Sequence, residues 1–288
     1  MLHVDNLHAY YGKSHILQGV NLSVGEGEIV ALLGRNGVGR STTCKAIMGE
    51  VPPSGSIIFQ GQEIVGKKSY EIANLGLGYV PENRDIFPGL TTRQNLMLGL
   101  KPGQKEADSR WSMETMFDMF PNLRTRADVE ASVLSGGEKQ MLTVCRTLMG
   151  DPSIIMIDEP TEGLQPSMID LIRDVVLKMK ARNLAVILVE QRIDAVLSIA
   201  DRVVFIENGE RKDEALAARD LRAEIDPVAG LLEREPWRER RRVVRRRRHE
   251  DDVELEFVEA VLVSQVAEVV EDPRRDGVRA ANQLVPAL

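Results

Sequence analysis

One glycine-rich segment, residues 34–42 with the sequence GRNGVGRST, limits the possible folds of this chain more than any other stretch. It follows an apolar run and precedes a helix-compatible run. The spacing of Gly34, Gly39 and Ser41 is typical of a strand, a phosphate-binding loop and a helix, in which successive backbone N–H groups surround a polyphosphate. Position 40, where lysine is usual, is arginine. Most glycine-rich turns are only tight connections, so this segment alone is weak support and the rest of the chain must decide.

Length and composition are those of an ordinary globular protein that is large enough to be an enzyme. The chain has 288 residues, 43% of them hydrophobic and 28% charged, and a formal net charge of −7. The negative charge argues against a general nucleic-acid binder, so we expect no nucleic-acid partner. Cys44 and Cys145 lie far apart and outside any metal-ligand spacing, which indicates a reducing compartment and two small buried residues. Because the N-terminus lacks a basic and apolar leader and no apolar run is long enough for a membrane helix, we expect a cytosolic protein.

The strongest single indication of a site is the pair Asp158-Glu159, which follows the apolar run 154–157. Two adjacent carboxylates at the end of a buried strand are costly as structure, and are expected where a metal ion and a proton acceptor are needed. In the chemical interpretation, Asp158 approaches Mg²⁺ together with Ser41, and Glu159 orients and deprotonates an attacking water. The alternative is a solvated strand end.

Two further apolar runs end in polar residues. The first precedes Glu82, which either holds a metal-bound water or is merely solvated, and the second precedes Glu190 and Gln191. Strand-like runs alternate with helix-like segments along most of the chain, which implies a mostly parallel sheet. In such a sheet these strand ends meet at one edge, where α/β proteins bind ligands.

A second glycine-rich helix start, LSGGE, lies at residues 134–138. Its hydroxyl and bare N–H groups form another anion-binding helix end, unless the segment is only a flexible N-cap. A methionine-rich helical stretch precedes it. The apolar side chains of that stretch either face a core or dock against another protein, and they are Met113, Met116, Phe117, Met119 and Phe120.

Together, GRNGVGRST at 34–42, LSGGE at 134–138 and IIMIDEP at 154–160 resemble the nucleotide-binding subunits of ABC transporters, over about residues 2–212. The resemblance implies an α/β fold, a P-loop NTPase of ABC ATPase type. Its core would be a RecA-like, mostly parallel sheet, with an N-terminal antiparallel β subdomain and a helical insert that carries the signature motif. It also implies ATP and Mg²⁺ as cofactors.

The resemblance assigns roles to residues motif by motif. Tyr11 would stack on adenine, Glu82 would occupy the Q-loop position near the metal ion, and Gln191 would occupy the catalytic switch position that histidine normally holds. Asp158 and Glu159 would be the Walker B pair. The remaining nucleotide contacts would come from the Walker A loop and from the signature, namely Gly34, Asn36, Gly37, Gly39, Arg40, Ser41, Thr42, Ser135, Gly136 and Gly137.

The resemblance also implies partners. In that family two ATPase subunits clamp two ATP molecules head to tail, so that the signature of one subunit completes the site of the other. The expected partners are a second ABC ATPase subunit, taken to be a different chain, two transmembrane permease subunits and, indirectly, an extracytoplasmic solute-binding protein. The expected location is the cytoplasmic face of the cell membrane.

Two departures from the general pattern resemble one subfamily. The forms Val80-Pro81-Glu82 and Val189-Glu190-Gln191 are similar to the branched-chain amino acid importer ATPases, whereas residues 158–167 are also similar to urea importer ATPases. The expected function is ATP hydrolysis that powers uptake of branched-chain amino acids or a related small polar solute. A urea or amide importer is one alternative, and a soluble ABC protein without a membrane partner is another, although the chain contains only one nucleotide-binding unit and no internal repeat.

Arg40 is a different kind of departure, since arginine is usual there in no subfamily that the chain resembles. The planar guanidinium of arginine is longer and bulkier than the lysine ammonium. A loop shaped for lysine would therefore hold the phosphates away from their usual position. We therefore expect impaired turnover. The alternative is a catalytically weak subunit that mainly completes a partner's site, which the intact Asp158-Glu159 pair opposes.

The composition changes past about residue 230, where a dense arginine run at 238–248 is followed by an acidic, valine-rich stretch. We expect an ABC ATPase domain over 1–230, with its helical insert at about 92–150, and a charged, largely disordered extension over 231–288. The alternatives for the extension are contact with an anionic membrane or nucleic acid, and pairing between its basic and acidic parts.

Overall fold

The larger of two β-sheets presents the predicted site residues at the ends of its strands. The computed structural model describes residues 1–104, 109–192 and 196–211 and the backbone of residues 216 and 217. The extension predicted over 231–288 and the boundary predicted at residue 230 lie outside these described residues.

The N-terminal sheet is antiparallel, with the strand order β2-β1-β4-β5. Its strands are β1 (Leu2–Tyr11), β2 (Ser14–Val24), β4 (Pro53–Phe59) and β5 (Gln62–Glu63). Side chains alternate between the two faces of a strand. The aliphatic side chains of β1 therefore lie on its buried face, and most of the residues between them are exposed. This sheet confirms the predicted N-terminal antiparallel β subdomain.

The second sheet has the order β10-β9-β3-β8-β7-β6, with β11 also paired to β9. Its strands β3, β6, β7, β8 and β9 are parallel, and the short β10 and β11 run antiparallel to β9. The strands are β3 (Ile29–Leu33), β6 (Leu77–Val80), β7 (Ile154–Asp158), β8 (Ala185–Glu190), β9 (Arg202–Glu207), β10 (Glu210–Arg211) and β11 (Leu216–Ala217). Every residue of β3, β7 and β8 is buried, as expected when both faces of a parallel sheet are covered.

The register of the parallel strands brings their carboxyl ends to one edge. Leu33 is paired with Glu190, Asp158 with Val189, and Val80 with Ile157. The predicted strand-end polar residues are the last residues of these strands or lie in the segments that follow them, and these segments therefore leave the sheet side by side.

Seven α-helices lie wholly within the described residues. They are α1 (Arg40–Ile47), α2 (Ser69–Leu75), α3 (Thr92–Met97), α4 (Met113–Met119), α5 (Pro121–Thr125), α6 (Gly136–Met149) and α7 (Pro166–Ala181). One apolar cluster contains residues of α1 and of both sheets, among them Cys44, Leu17 and Ile187. Each fully buried aliphatic side chain of this kind contributes about 1.5 to 3 kcal/mol, so the core holds α1 firmly behind the glycine-rich loop.

The methionine-rich stretch of the helical insert faces a core. Met116 is fully buried, and Met113, Phe117, Met119 and Phe120 are at most 9% exposed. The core interpretation of these residues is therefore confirmed. Cys44 and Cys145 are also fully buried free thiols, and burial raises the pKa of both well above the ordinary value.

Candidate functional site

The glycine-rich loop connects β3 to α1, as the spacing predicts. Gly39 forms the N-cap of α1 at φ 111°, in the left-handed region, and a Cβ atom there would lie 2.7 Å from Leu17 Cδ2. Only glycine meets both demands without strain. No side chain caps α1 and no acidic residue lies in its first turn. Its first N–H groups and its positive helix end therefore suit a phosphate, with Thr42 buried in the same turn.

Arg40 occupies the lysine position of the loop, and its side chain is 4% exposed. Its Nη2 donates to Asn36 Oδ1 at 3.0 Å and to Glu159 Oε1 at 2.7 Å. Burial lowers the pKa of the guanidinium, while the carboxylates of Glu159, Asp158 and Glu190 oppose that shift. Nη1 is buried and has no hydrogen-bond partner among the described residues. A buried guanidinium with an unpaired N–H at the start of a helix fits an anionic ligand such as a phosphate.

Glu159 receives hydrogen bonds from two predicted site residues. Besides the Arg40 contact, its Oε2 accepts from Gln191 Nε2 at 3.0 Å. The backbone of Glu159 is left-handed at φ 45°, and its N–H donates to the Val189 carbonyl on β8 at 2.9 Å. A non-glycine residue in this region is costly and persists where the surrounding structure enforces it, often at functional sites. The structure thus brings together the predicted catalytic pair, Glu159 and Gln191.

Ser41 and Asp158 form the second contact across the loop. Ser41 Oγ donates to Asp158 Oδ1 at 2.9 Å, and the Tyr79 hydroxyl donates to Asp158 Oδ2 at 3.2 Å. Burial raises the pKa of the Asp158 carboxyl, and the two hydrogen bonds counteract that rise. A hydroxyl and a carboxylate are hard oxygen ligands of the kind that Mg²⁺ prefers, so the donor set fits this ion. Ser41 and Asp158 would hold Mg²⁺, which when bound supplies positive charge to the phosphate oxygens.

Glu82 lies in an exposed loop after β6 and belongs to an acidic group. Ligand oxygens of Glu82, Glu159 and Glu162 all lie within 4.8 Å of one another. Burial raises the pKa of the Glu162 carboxyl, and the charges of Glu159 and Glu82 raise it further. Glu82 therefore faces Glu159, and its direct contact with a metal ion stays a prediction.

The signature residues start α6. The Ser135 hydroxyl accepts from the Glu138 N–H at 3.3 Å, and Glu138 Oε2 accepts from the Ser135 N–H at 2.8 Å, which together form a capping box. Among the described residues, no hydrogen bond joins Ser135 to the phosphate loop of the same chain. Gly137 packs closely on α7, since a Cβ atom there would lie 2.9 Å from Met168 Cε.

The side chain of Tyr11, at the end of β1, is 48% exposed. It is therefore not packed fully into the core, and half of its surface is available for another ring. Its stacking on adenine stays a prediction. Asn36 and Gly37 are exposed at the tip of the phosphate loop.

Sequence reasoning assigned no specific role to two residues of the site. The first is Glu190, which is 3% exposed and accepts from the Thr161 N–H at 3.1 Å; burial raises its pKa to about 7. Its position at the end of a buried apolar run was the signal. The second is Tyr79, whose hydroxyl binds Asp158 and which carried no signal beyond its place on a strand.

A parallel sheet whose strand ends carry a glycine-rich phosphate loop and adjacent carboxylates defines a P-loop nucleoside triphosphatase. The chain belongs to the ABC transporter family, whose family model matches residues 17–162. It is 39% identical to the high-affinity branched-chain amino acid transport ATP-binding protein BraG of Pseudomonas aeruginosa, over 73% of this chain and 90% of that protein. It is 34% identical to the probable branched-chain amino acid transport ATP-binding protein LivF of Archaeoglobus fulgidus, over 73% of this chain and 89% of that protein.

A solved structure has the same fold. An ATP-binding cassette of an ABC transporter, in its ADP conformation, matches with a TM-score of 0.65 at 26% identity, covering 78% of this chain and 96% of that chain. The predicted family and fold class are confirmed. The chain is therefore an ATP-binding subunit of the ABC type. No helix in the described residues is both long and apolar enough to cross a membrane.

Proposed function

We propose that this chain hydrolyses ATP to power an ABC importer for branched-chain amino acids or a related small polar solute. The observation that carries the proposal is the 39% identity to a branched-chain amino acid transport protein over 90% of that protein's length. The contact of Glu159 with Gln191 supports it, because it places a proton acceptor next to a group that orients it.

In the proposed reaction Glu159 accepts a proton from the water that attacks the terminal phosphorus of ATP. The bond between that phosphorus and the β–γ bridging oxygen breaks, and ADP leaves with inorganic phosphate as the second product. Gln191 holds the second carboxylate oxygen of Glu159 and so fixes the direction in which the first one points. The phosphate loop and the N-terminus of α1 bind the phosphates, and Tyr11 stacks on the adenine. The signature residues Ser135, Gly136 and Gly137 complete the site of a partner subunit.

The second candidate function is a catalytically weak subunit that mainly completes the partner's site. The observation that favours it is the buried ion pair between Arg40 and Glu159, with a separation of 2.7 Å. While that pair is intact, the proposed base is neutralised by the loop cation, and separating a buried pair is costly. Hydrolysis then requires the bound phosphates to draw Arg40 away from Glu159.

The proposed assembly contains a second ABC ATPase subunit, a different chain, together with two transmembrane permease subunits. A solute-binding protein outside the membrane would deliver the solute. The chain would then work at the cytoplasmic face of the membrane. A urea or amide importer is the alternative for the solute, because residues 158–167 resemble that subfamily as well.

The test is co-expression with candidate permease and ATPase subunits from the same genome, purification, and reconstitution into vesicles. ATP-dependent uptake is measured with radiolabelled leucine and with urea. We expect leucine uptake, loss of hydrolysis in Glu159→Gln with ATP binding retained, and no change in Glu114→Gln, whose exposed side chain pairs with Arg124. Uptake of urea alone would favour the alternative solute, and absence of permease subunits from the purified complex would contradict the importer.

A second comparison separates the two functions. A chain that only completes its partner's site should lose complex activity on Ser135→Asp and keep it on Glu159→Gln. A hydrolysing subunit should lose activity with either substitution.

A further inference from the structure

One arginine outside the predicted site contacts the two loops that flank it. Arg84 lies in the loop after β6, in left-handed backbone at φ 53°. Its Nη2 donates a hydrogen bond to the backbone carbonyl of Glu162, within the D-loop, which is defined here as residues 162–165. Its side chain is half-buried.

The same guanidinium also lies over the signature loop, defined as residues 134–137. A Cβ atom built on Gly136 would lie 2.9 Å from Arg84 Nη1, and one on Gly163 would lie 3.9 Å from Nη2. The absent side chain of Gly136 therefore leaves the space that the guanidinium occupies. A cation is unfavourable beside the positive end of a helix, so this placement is not explained by the dipole of α6.

The D-loop in turn continues the segment that contains the proposed base. Glu162 N–H donates to the Glu159 carbonyl at 3.3 Å, and the carboxylates of Glu82, Glu159 and Glu162 lie within 4.8 Å of one another. Two hydrogen bonds hold the Glu162 backbone, one from its own N–H to the Glu159 carbonyl and one from Arg84 to its own carbonyl. Of these two, only the bond from Arg84 connects this backbone to the loop after β6.

We propose that Arg84 is a positioning residue that joins the signature loop to the D-loop, so that the two loops move together. Occupation of Ser135–Gly137 by a partner's phosphate would then shift the backbone next to Glu159 in this chain's own site. This inference rests on the proposed function for its benefit to catalysis, while the mechanical link between the two loops is testable in the full-length chain alone.

The structural test uses hydrogen exchange, measured by mass spectrometry at millisecond to minute times, on the full-length chain without nucleotide. We expect Arg84→Ala to speed amide exchange in residues 159–165 by about threefold or more, because the Glu162 carbonyl loses its donor. Gly136→Ala should do the same while Arg84 is present, since the new Cβ displaces the end of a flexible side chain. Arg124→Ala, which removes an exposed arginine with two surface ion pairs, is the matched control.

The decisive comparison is the double variant Arg84→Ala with Gly136→Ala. If the guanidinium is the link, the double variant exchanges in residues 159–165 no faster than Arg84→Ala alone. If the exchange rate of the double variant rises by the product of the two single effects, the substitutions act independently and the proposal is overturned. Unchanged exchange in Arg84→Ala would also overturn it.

The functional test uses the assembled complex. We expect Arg84→Ala to lower kcat by about ten- to a hundredfold with the KM for ATP unchanged, because the base is displaced while the phosphate loop is intact. Arg84→Lys should restore part of kcat, since an ammonium can still donate to the Glu162 carbonyl. A rise in KM with unchanged kcat would contradict the assigned role. If the unmodified complex shows no ATP-driven uptake, the proposed function fails, and the exchange experiment still decides on the link.

Discussion

At the scale of single residues, the most informative position is Arg40. A buried arginine that pairs with Glu159 at 2.7 Å keeps the positive charge of the usual lysine and joins two groups that the proposed hydrolysis would need apart. Replacing the planar guanidinium of Arg40 by the shorter lysine side chain, with its ammonium group, removes the group that makes this close contact with Glu159. We therefore expect Arg40 to affect the rate of hydrolysis, through a contact that the residue type alone did not predict.

We expect Arg40→Lys to raise ATP turnover of the assembled complex by about a hundredfold, since one well-aimed charge in a preorganised site is worth on the order of 2 to 4 kcal/mol. Steady-state phosphate release measures this. Arg93→Lys, a change in an exposed surface pair with Asp128, is the control. Equal rates in Arg40→Lys and the unmodified chain would show that arginine is fully competent.

Glu190 predicts a pH dependence of stability. Its pKa is about 7 in the folded chain, mainly because of burial, and 4.5 is the ordinary value. Between these pH values Glu190 holds a proton in the folded chain and has released it in the unfolded chain. The folded state is therefore stabilised as the pH falls, and it loses this stability as the pH rises through 7. Glu190→Gln keeps an oxygen that can accept from the Thr161 N–H and removes the charge.

The free energy of unfolding of Glu190→Gln should therefore exceed that of the unmodified chain by about 3 kcal/mol at pH 8, and this difference should shrink towards pH 4. Urea unfolding across this pH range measures it. Glu26→Gln, at an exposed position, is the control. A stability difference that is constant with pH would contradict the assignment to titration of Glu190.

At the scale of elements, the start of α6 illustrates how one residue serves a helix and a site. The Ser135 side chain accepts from the Glu138 N–H and so stabilises the helix, which begins at Gly136. The same hydroxyl is proposed to contact a partner's phosphate. The two roles have different requirements, since an N-cap tolerates a carboxylate and a phosphate site does not.

Substitutions at this position separate the roles. Ser135→Ala should lower the free energy of unfolding by about 1 kcal/mol, whereas Ser135→Asp should leave it unchanged. Both should abolish hydrolysis in the complex if the signature binds phosphate. The matched pair Thr91→Ala and Thr91→Asp at the capping box of α3 should reproduce the stability effects and keep activity. Full activity of Ser135→Asp would exclude the phosphate contact.

At the scale of the whole molecule, the parallel register of β3, β8, β7 and β6 gathers residues that are far apart in the chain. Ser41 and Asp158 are 117 positions apart and touch at 2.9 Å, and Arg40 and Glu159 are 119 apart. The apolar cluster that holds α1 against both sheets keeps this edge rigid. The site is therefore a property of the complete sheet.

The extension over 231–288 is predicted from composition alone to be solvated and independent of this sheet. Removing it should leave the melting temperature within about 2 °C and ATP turnover within about twofold. Differential scanning calorimetry and phosphate release measure both. A large fall in the melting temperature would mean that the extension packs on the ATPase domain, and loss of binding to anionic vesicles alone would favour the membrane alternative.

By itself, the sequence determined the family and the fold class, and it named the candidate site residues. Glycine spacing, apolar runs and strand-end carboxylates are local patterns that follow directly from backbone geometry and burial. The LSGGE start of α6 and the capping role of Ser135 belong to this local class.

Only the tertiary structure decided which side chains meet. The pairs Arg40 with Glu159, Tyr79 with Asp158 and Arg84 with the Glu162 carbonyl join separate loops, and no local pattern in the sequence specifies them. The physical reason is that such contacts depend on sheet order and loop direction, which are set by packing of the whole core. The phosphate loop was predictable as a loop, whereas the capture of its arginine by the proposed base became visible only in the folded chain.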